Sequence, residues 1–309
     1  MAHPPPRNRR RSFMTIQAPI SGMLLSAAAF LLFTLFDTVS KYLSGRYSIF
    51  QIMAVEFTTA TVLLLLFALW KNRERPARDA FRMNRPRLHA LRCVFQILGQ
   101  WLVYLALPHL SLAEFYVIIF SMPIITVAKA SLFLKERAGP HIWLLLAANF
   151  AGVLIALRPD QGASLWGLLA LAGAFVMSAS LVVLRKMAES ETAEMTTITG
   201  AAALALSAIA VAAFVYRPAA PQDLALMMLA GALFAPAQIM LTTAFRLAPA
   251  ALAVPPQFLQ LVYGAAAGYI VFGDVPGQWV LIGGGIVIAS NAVMLFMQNG
   301  AASRIGLRS

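Results

Sequence analysis

Residues 49–70 read IFQIMAVEFTTATVLLLLFALW. This run of 22 residues is continuously apolar apart from Gln51, Glu56 and a few threonines, and it ends at Lys71. A helix needs about 20 such residues to cross the hydrocarbon core of a bilayer. Barrel strands alternate over about ten residues, and this run does not. One residue breaks the pattern. Glu56 lies seven residues inside the run, and it has no local basic partner on the same helix. The run therefore predicts a spanning helix that carries a buried ionisable group.

Working outward, similar runs fall at 19–40, 88–107, 112–134, 141–157, 164–184, 195–215, 223–245, 250–272 and 277–297. Short linkers hold turn-formers such as Ser44-Gly45, Pro108, Gly139-Pro140, Pro159-Asp160, Pro218 and Gly273-Asp274. None is long enough for a soluble domain. Of the 309 residues, 60% are hydrophobic and only 12% are charged. A soluble protein carries about twice that charged fraction, so a disordered chain is excluded and the composition argues against a soluble enzyme. The fold expected is an all-α membrane protein with ten transmembrane helices.

The formal net charge is +12. With the N-terminus inside, 18 of the 24 Lys and Arg fall on the cytoplasmic side and four on the other. That bias is the positive-inside pattern, and it predicts cytoplasmic N- and C-termini in a bacterial inner membrane. It also accounts for the basic charge without nucleic acid. The 71–87 loop has no aromatic platform beyond Phe81, and anionic headgroups are its ordinary partner. Arg10-Arg11-Ser12-Phe13-Met14 has the look of an export signal, but the apolar stretch continues past Ala27-Ala28-Ala29 into a full span, so no cleavage is expected. Cys93 is the one cysteine, and His3, His89, His109 and His141 are scattered. No disulfide, metal site or cofactor is expected.

Residues 100–139 and 238–277 align at an offset of 138, with Gln100 on Gln238, Phe120 on Phe258, Glu136 on Asp274 and Gly139 on Gly277. Five spans is an odd number, so a second set of five must start from the opposite side. This is the inverted-repeat construction of many secondary transporters.

Several stretches resemble a known family. They are Phe36-Asp37-Thr38-Val39-Ser40-Lys41-Tyr42-Leu43, Leu110-Ser111-Leu112-Ala113-Glu114, the run from Pro123 to Arg137 leading to Gly152, and Phe272-Gly273-Asp274-Val275-Pro276. Together they look like the drug/metabolite transporter superfamily, EamA branch. The resemblance implies two inverted five-helix EamA repeats with a cavity between them. The division expected is a basic tail at 1–18, a first repeat at 19–157, a second at 164–297 and a tail at 298–309. The chain departs from the family pattern at Glu56, where related sequences often carry arginine, and at Lys135, where glycine is usual.

A charge at mid-bilayer costs about 2.5–3.5 kcal/mol on insertion scales, so each one asks for a reason. The charges within spans are Asp37, Glu56, Arg92, Glu114 and Lys129, all in the first half. Arg92 is expected to snorkel to headgroups. Lys129 suits a cavity as well as a headgroup. Asp37 and Lys41 are spaced i,i+4 and are expected to pair. Glu114 begins a helix, where an acid complements the dipole. Asp37, Glu56 and Glu114 are the candidates for proton or ion coupling.

Amides and aromatics within spans give a candidate substrate wall of Gln100, Trp101, Tyr104 and Tyr116 in the first half and Gln238, Gln257, Gln260 and Tyr263 in the second. Pro123, Pro236, Pro255 and Pro256 lie in spans, as static kinks or as hinges. Gly264, Gly268 and Gly283–Gly285 permit close packing, within the bundle or between two copies, so a monomer or a homodimer is expected. Motifs for ATP binding, HExxH and GxSxG do not occur. The function expected is a secondary transporter of a small polar metabolite, amino-acid-like or nucleotide- or vitamin-like. The alternatives are a membrane enzyme and a scaffold that does not transport.

Overall fold

The computed structural model describes residues 9–74, 83–133, 140–157, 164–187, 190–247 and 255–306. Arg7, Arg75, Arg78, Arg82, Lys135, Glu136, Gly139, Arg158, Pro159, Asp160 and Arg308 lie outside the described residues. All the regular secondary structure among the described residues is helical.

Helix α1 spans Arg9–Ser44 and α2 spans Ile49–Lys71. Helix α3 runs over Pro86–Ala106, followed by a 3-10 turn to His109. The fourth apolar segment is split into α4, Leu112–Ile119, and α5, Met122–Phe133. Then come α6 (Pro140–Leu157), α7 (Leu165–Met187), α8 (Ala193–Val215) and α9 (Pro221–Leu247). The ninth segment opens with a 3-10 turn at Pro255–Phe258, continues as α10 over Leu259–Ala267 and ends in a π turn at Gly268–Phe272. Helix α11 covers Gln278–Gly306.

Seven of the described helical stretches are long and apolar enough to cross a membrane. Trp143–Leu157 and Gln278–Met294 are shorter apolar helices. The ninth segment is apolar but irregular.

Local chemistry sets the boundaries. Three helices start on proline, whose missing N–H would be unpaired there anyway: Pro86, Pro140 and Pro221. Ser111 and Thr192 cap α4 and α8 by accepting from the backbone N–H of Glu114 and Met195, each at 3.2 Å. Gly273 ends the ninth segment at φ 72°, the left-handed conformation that glycine adopts without a Cβ clash. The α4/α5 break lies at Phe120–Ser121, just before Pro123. The Phe120 carbonyl there accepts instead from Asn291 Nδ2 of α11 at 2.9 Å. A neighbouring helix thus repairs the backbone polarity that the break exposes.

Packing follows a rule across the bundle. The first segment packs on the eighth and the third on the sixth, while the second packs on the seventh and the fifth on the tenth. Shifting every segment number by five leaves this list unchanged. Glycines allow the closest approaches. A Cβ on Gly152 would meet the Gly283 carbonyl at 2.8 Å, and Gly99 and Gly173 face each other between α3 and α7 in the same way. Gly264 lies against the Tyr116 ring. These glycines therefore serve packing within the bundle.

Candidate functional site

The buried centre lies where α1, α2, α3 and α9 meet. Rings from all four helices close it: Phe36, Phe57, Tyr104 and Phe234, with centroids 5.2–6.3 Å apart. Glu56 is fully buried here. A Cβ on Gly231 of α9 would strike the Glu56 carbonyl oxygen, so glycine brings α9 directly onto α2 at this level.

Glu56 Oε1 lies 2.6 Å from Ser40 Oγ, which lies 2.9 Å from the Phe36 carbonyl. A hydroxyl has one proton to donate. When Ser40 donates to Phe36, the short contact to Glu56 is a hydrogen bond only if the carboxyl group itself carries a proton. When Ser40 donates to Glu56, the carboxylate is accommodated. The geometry accepts both protonation states. Glu56 Oε2 and the Tyr104 hydroxyl make no hydrogen bond among the described residues.

One turn away, Asp37 Oδ2 accepts from the Tyr116 hydroxyl at 2.8 Å. Lys41 does not pair with Asp37, contrary to the i,i+4 expectation. Its Nζ reaches Asp274 Oδ2 at 2.9 Å and the Leu110 carbonyl at 2.7 Å, and it lies 4.5 Å from the Phe272 ring centroid. Neighbouring segments outcompete the local partner because Tyr116 already holds Asp37. Glu114 is half-buried in the first turn of α4, and its backbone N–H is capped by Ser111.

Arg92 does not snorkel. It is buried, and Nη1 donates to the Thr196 carbonyl at 2.6 Å. Gly200 leaves room for the guanidinium and for the Gln96 amide between α3 and α8. Lys129 also stays inside, donating to the Phe175 carbonyl.

None of the described cavities is lined by more than one of the eight wall candidates. Tyr104 and Tyr116 border the buried carboxyl groups. Trp101 packs edge-on against Phe50 at 5.0 Å, and its Nε1 has no hydrogen-bond partner among the described residues. Phe50 lines a cavity of about 830 Å³ at the face where α1 ends, together with Lys41, His109, Trp166 and Phe272. His109 and Trp166 stack there at 3.7 Å. Gln238 lines a different cavity, of about 240 Å³, near the face where α2 ends, beside Lys71 and Glu194. Gln260 is buried, while Gln100, Gln257 and Tyr263 are half-buried. Pro236 lies inside continuous α9, Pro123 in the first turn of α5, and Pro255 and Pro256 in the 3-10 turn.

Polar ties at both faces escaped sequence reasoning, because each joins residues more than 100 positions apart. At the α1-end face, the Tyr47 hydroxyl donates to Asp223 at 2.7 Å, Arg46 pairs with Asp223 at 3.4 Å, and Gln51 donates to the Arg217 carbonyl at 2.7 Å. At the opposite face, Lys71 pairs with Glu194. Glu191 accepts there from the backbone of Asn84 and Arg85 and meets His89 at 3.4 Å.

Residues 20–158 match the EamA-like transporter family. The chain is 26% identical over 271 residues to the S-adenosylmethionine uptake transporter of Rickettsia bellii, covering 87% of this chain and 91% of that one. It is 28% identical over 286 residues to the riboflavin transporter of Rhizobium johnstonii, at 89% and 91% coverage. It is 23% identical over 273 residues to a pseudopaline exporter of Pseudomonas aeruginosa, at 87% and 94% coverage. A crystal structure of a protein 17% identical covers 90% of this chain and 98% of its own, with a TM-score of 0.60, which supports the fold alone.

Proposed function

We propose that the chain is an EamA-like transporter, as the match of residues 20–158 supports, and that it carries a small polar metabolite across the membrane by proton-coupled alternating access. The similar proteins are transporters of small molecules rather than enzymes. Their names include both uptake and export, so kinship leaves the direction of travel open.

The proposed frame is two inverted repeats, 19–157 and 164–297, related by the five-segment shift in the packing list. Both termini are cytoplasmic in an inner membrane, supported by the placement of the basic residues. The face where α1 ends is then the outer one. Transport proceeds as the polar ties at the two faces open in turn. Asp37 and Glu56 carry the coupling proton, with Glu114 at the outer end of the same half. Trp101, Tyr104, Tyr116, Gln100, Gln257, Gln260 and Tyr263 take turns along the substrate path, with Gln238 reached at the cytoplasmic end. Pro123, Pro236, Pro255 and Pro256 are the points at which helices bend.

The observation that carries the coupling reading is Ser40, placed to bond Glu56 in either protonation state. A metabolite survey of cells lacking or overexpressing the protein identifies the compound, and proteoliposomes then measure its uptake against pH. Glu56→Gln is expected to flatten the pH dependence. An unchanged pH profile would remove Glu56 from the coupling.

A further inference from the structure

Among the described residues, Lys129 is a cation without an acidic partner. It is about nine-tenths buried, and its Nζ lies 3.5 Å from the Phe175 ring centroid while donating to the Phe175 carbonyl. An ammonium has three N–H donors, and this bond uses one. Among the described residues, no carboxylate lies within ion-pair distance of Lys129 or of Lys186. An uncompensated charge at this depth is costly, and a nearby anion removes much of that cost.

Both lysines line a cavity of about 530 Å³ between the ends of α3, α5 and α7. The rest of its lining is apolar, including Leu91, Phe133, Phe175 and Val183. Phe133 is 74% exposed and Phe175 53%, so the cavity opens through the apolar outer surface of the bundle. It lies apart from the Asp37–Glu56 centre and contains none of the wall candidates. Soluble substrates do not approach from that side. Lipid does, and an acidic phospholipid supplies both an anionic headgroup and an apolar chain. Basic pockets between helices at the cytoplasmic level are suited to such headgroups.

We propose that this cavity is a binding site for an acidic phospholipid of the cytoplasmic leaflet. The headgroup phosphate sits between Lys129 and Lys186, and an acyl chain runs over Leu91, Phe133 and Phe175. The lipid neutralises Lys129 and fills the gap between the third, fourth and sixth segments.

Native mass spectrometry of the full-length protein, titrated with phosphatidylglycerol or with phosphatidylcholine of the same chains, tests this. The wild type is expected to prefer phosphatidylglycerol. Lys186→Gln, at an exposed position, should weaken that lipid about fivefold, a typical contribution of one lysine near a membrane surface. Lys129→Gln should weaken it at least as much, while Lys129→Arg retains the preference. Ala179→Trp keeps both charges but fills the cavity, and it should abolish the preference. Circular dichroism confirms that each variant is folded. Equal binding of the two lipids to the wild type would overturn the proposal, as would a preference that survives in Ala179→Trp. Displacement of the lipid by an equal concentration of soluble glycerol phosphate would also overturn it, because a free anion would then be the occupant.

Discussion

Ser40 has one proton and two acceptors within 2.9 Å, and that shortage links the backbone of α1 to the chemistry of Glu56. Removing the hydroxyl should therefore change proton binding more than folding. Ser40→Ala is expected to move the pH midpoint of uptake, and a midpoint identical to the wild type would show that Glu56 is not held through Ser40. Tyr116 tests a second contact. Tyr116→Phe leaves the ring packing intact but strips Asp37 of its hydroxyl donor. A buried acceptor left unpaired costs about 1–3 kcal/mol, so thermal unfolding in detergent should shift downward. The sequence marked Asp37, Glu56 and Tyr116 because polar groups are rare in such spans. It misassigned Lys41 and Arg92. Local spacing and helix ends suggested near partners, whereas Asp274 lies 233 residues away from Lys41 and Thr196 lies 104 from Arg92.

At the scale of elements, glycine decides which helices touch. Gly283 and Gly285 are two residues apart on α11 but meet different surroundings. A Cβ on Gly283 would sit 2.8 Å from the Ala156 backbone nitrogen, whereas on Gly285 it would meet nothing within 4 Å. Gly283→Ala should lower stability by about 1–3 kcal/mol through overpacking. Gly285→Ala should be neutral or stabilising by up to about 1 kcal/mol, since alanine is the better helix former. Paired thermal melts check both. Pro236 offers the corresponding test of motion. If α9 bends there during transport, Pro236→Ala lowers the turnover rate while substrate affinity stays close to the wild-type value. A static kink leaves the turnover rate unchanged. The splits at Phe120–Ser121 and across the ninth segment were not legible as breaks, because both runs are as apolar as their intact neighbours. Proline marks where a hydrogen bond is lost, but it does not say which neighbour replaces it.

For the whole molecule, the faces carry separate ties, so each can be weakened alone. Asp223→Asn removes the charge that holds Arg46 and weakens its hold on Tyr47. In a chain lacking Cys93, a reporter cysteine at Ser48 should then label faster with an impermeant maleimide, and an unchanged rate would mean that these ties do not gate that face. The placement of basic residues predicts that a reporter enzyme fused to the C-terminus is active in the cytoplasm only. By itself, the sequence determined that this chain lives in lipid, where its apolar segments fall and which few charges need an explanation. These are properties of composition and order along the chain, and the bilayer reads them one segment at a time. The tertiary structure alone decided which charge meets which partner, where helices break and where cavities open. Those outcomes depend on distances between segments far apart in sequence. In a medium that offers no water, each buried polar group takes whatever partner the packing brings near.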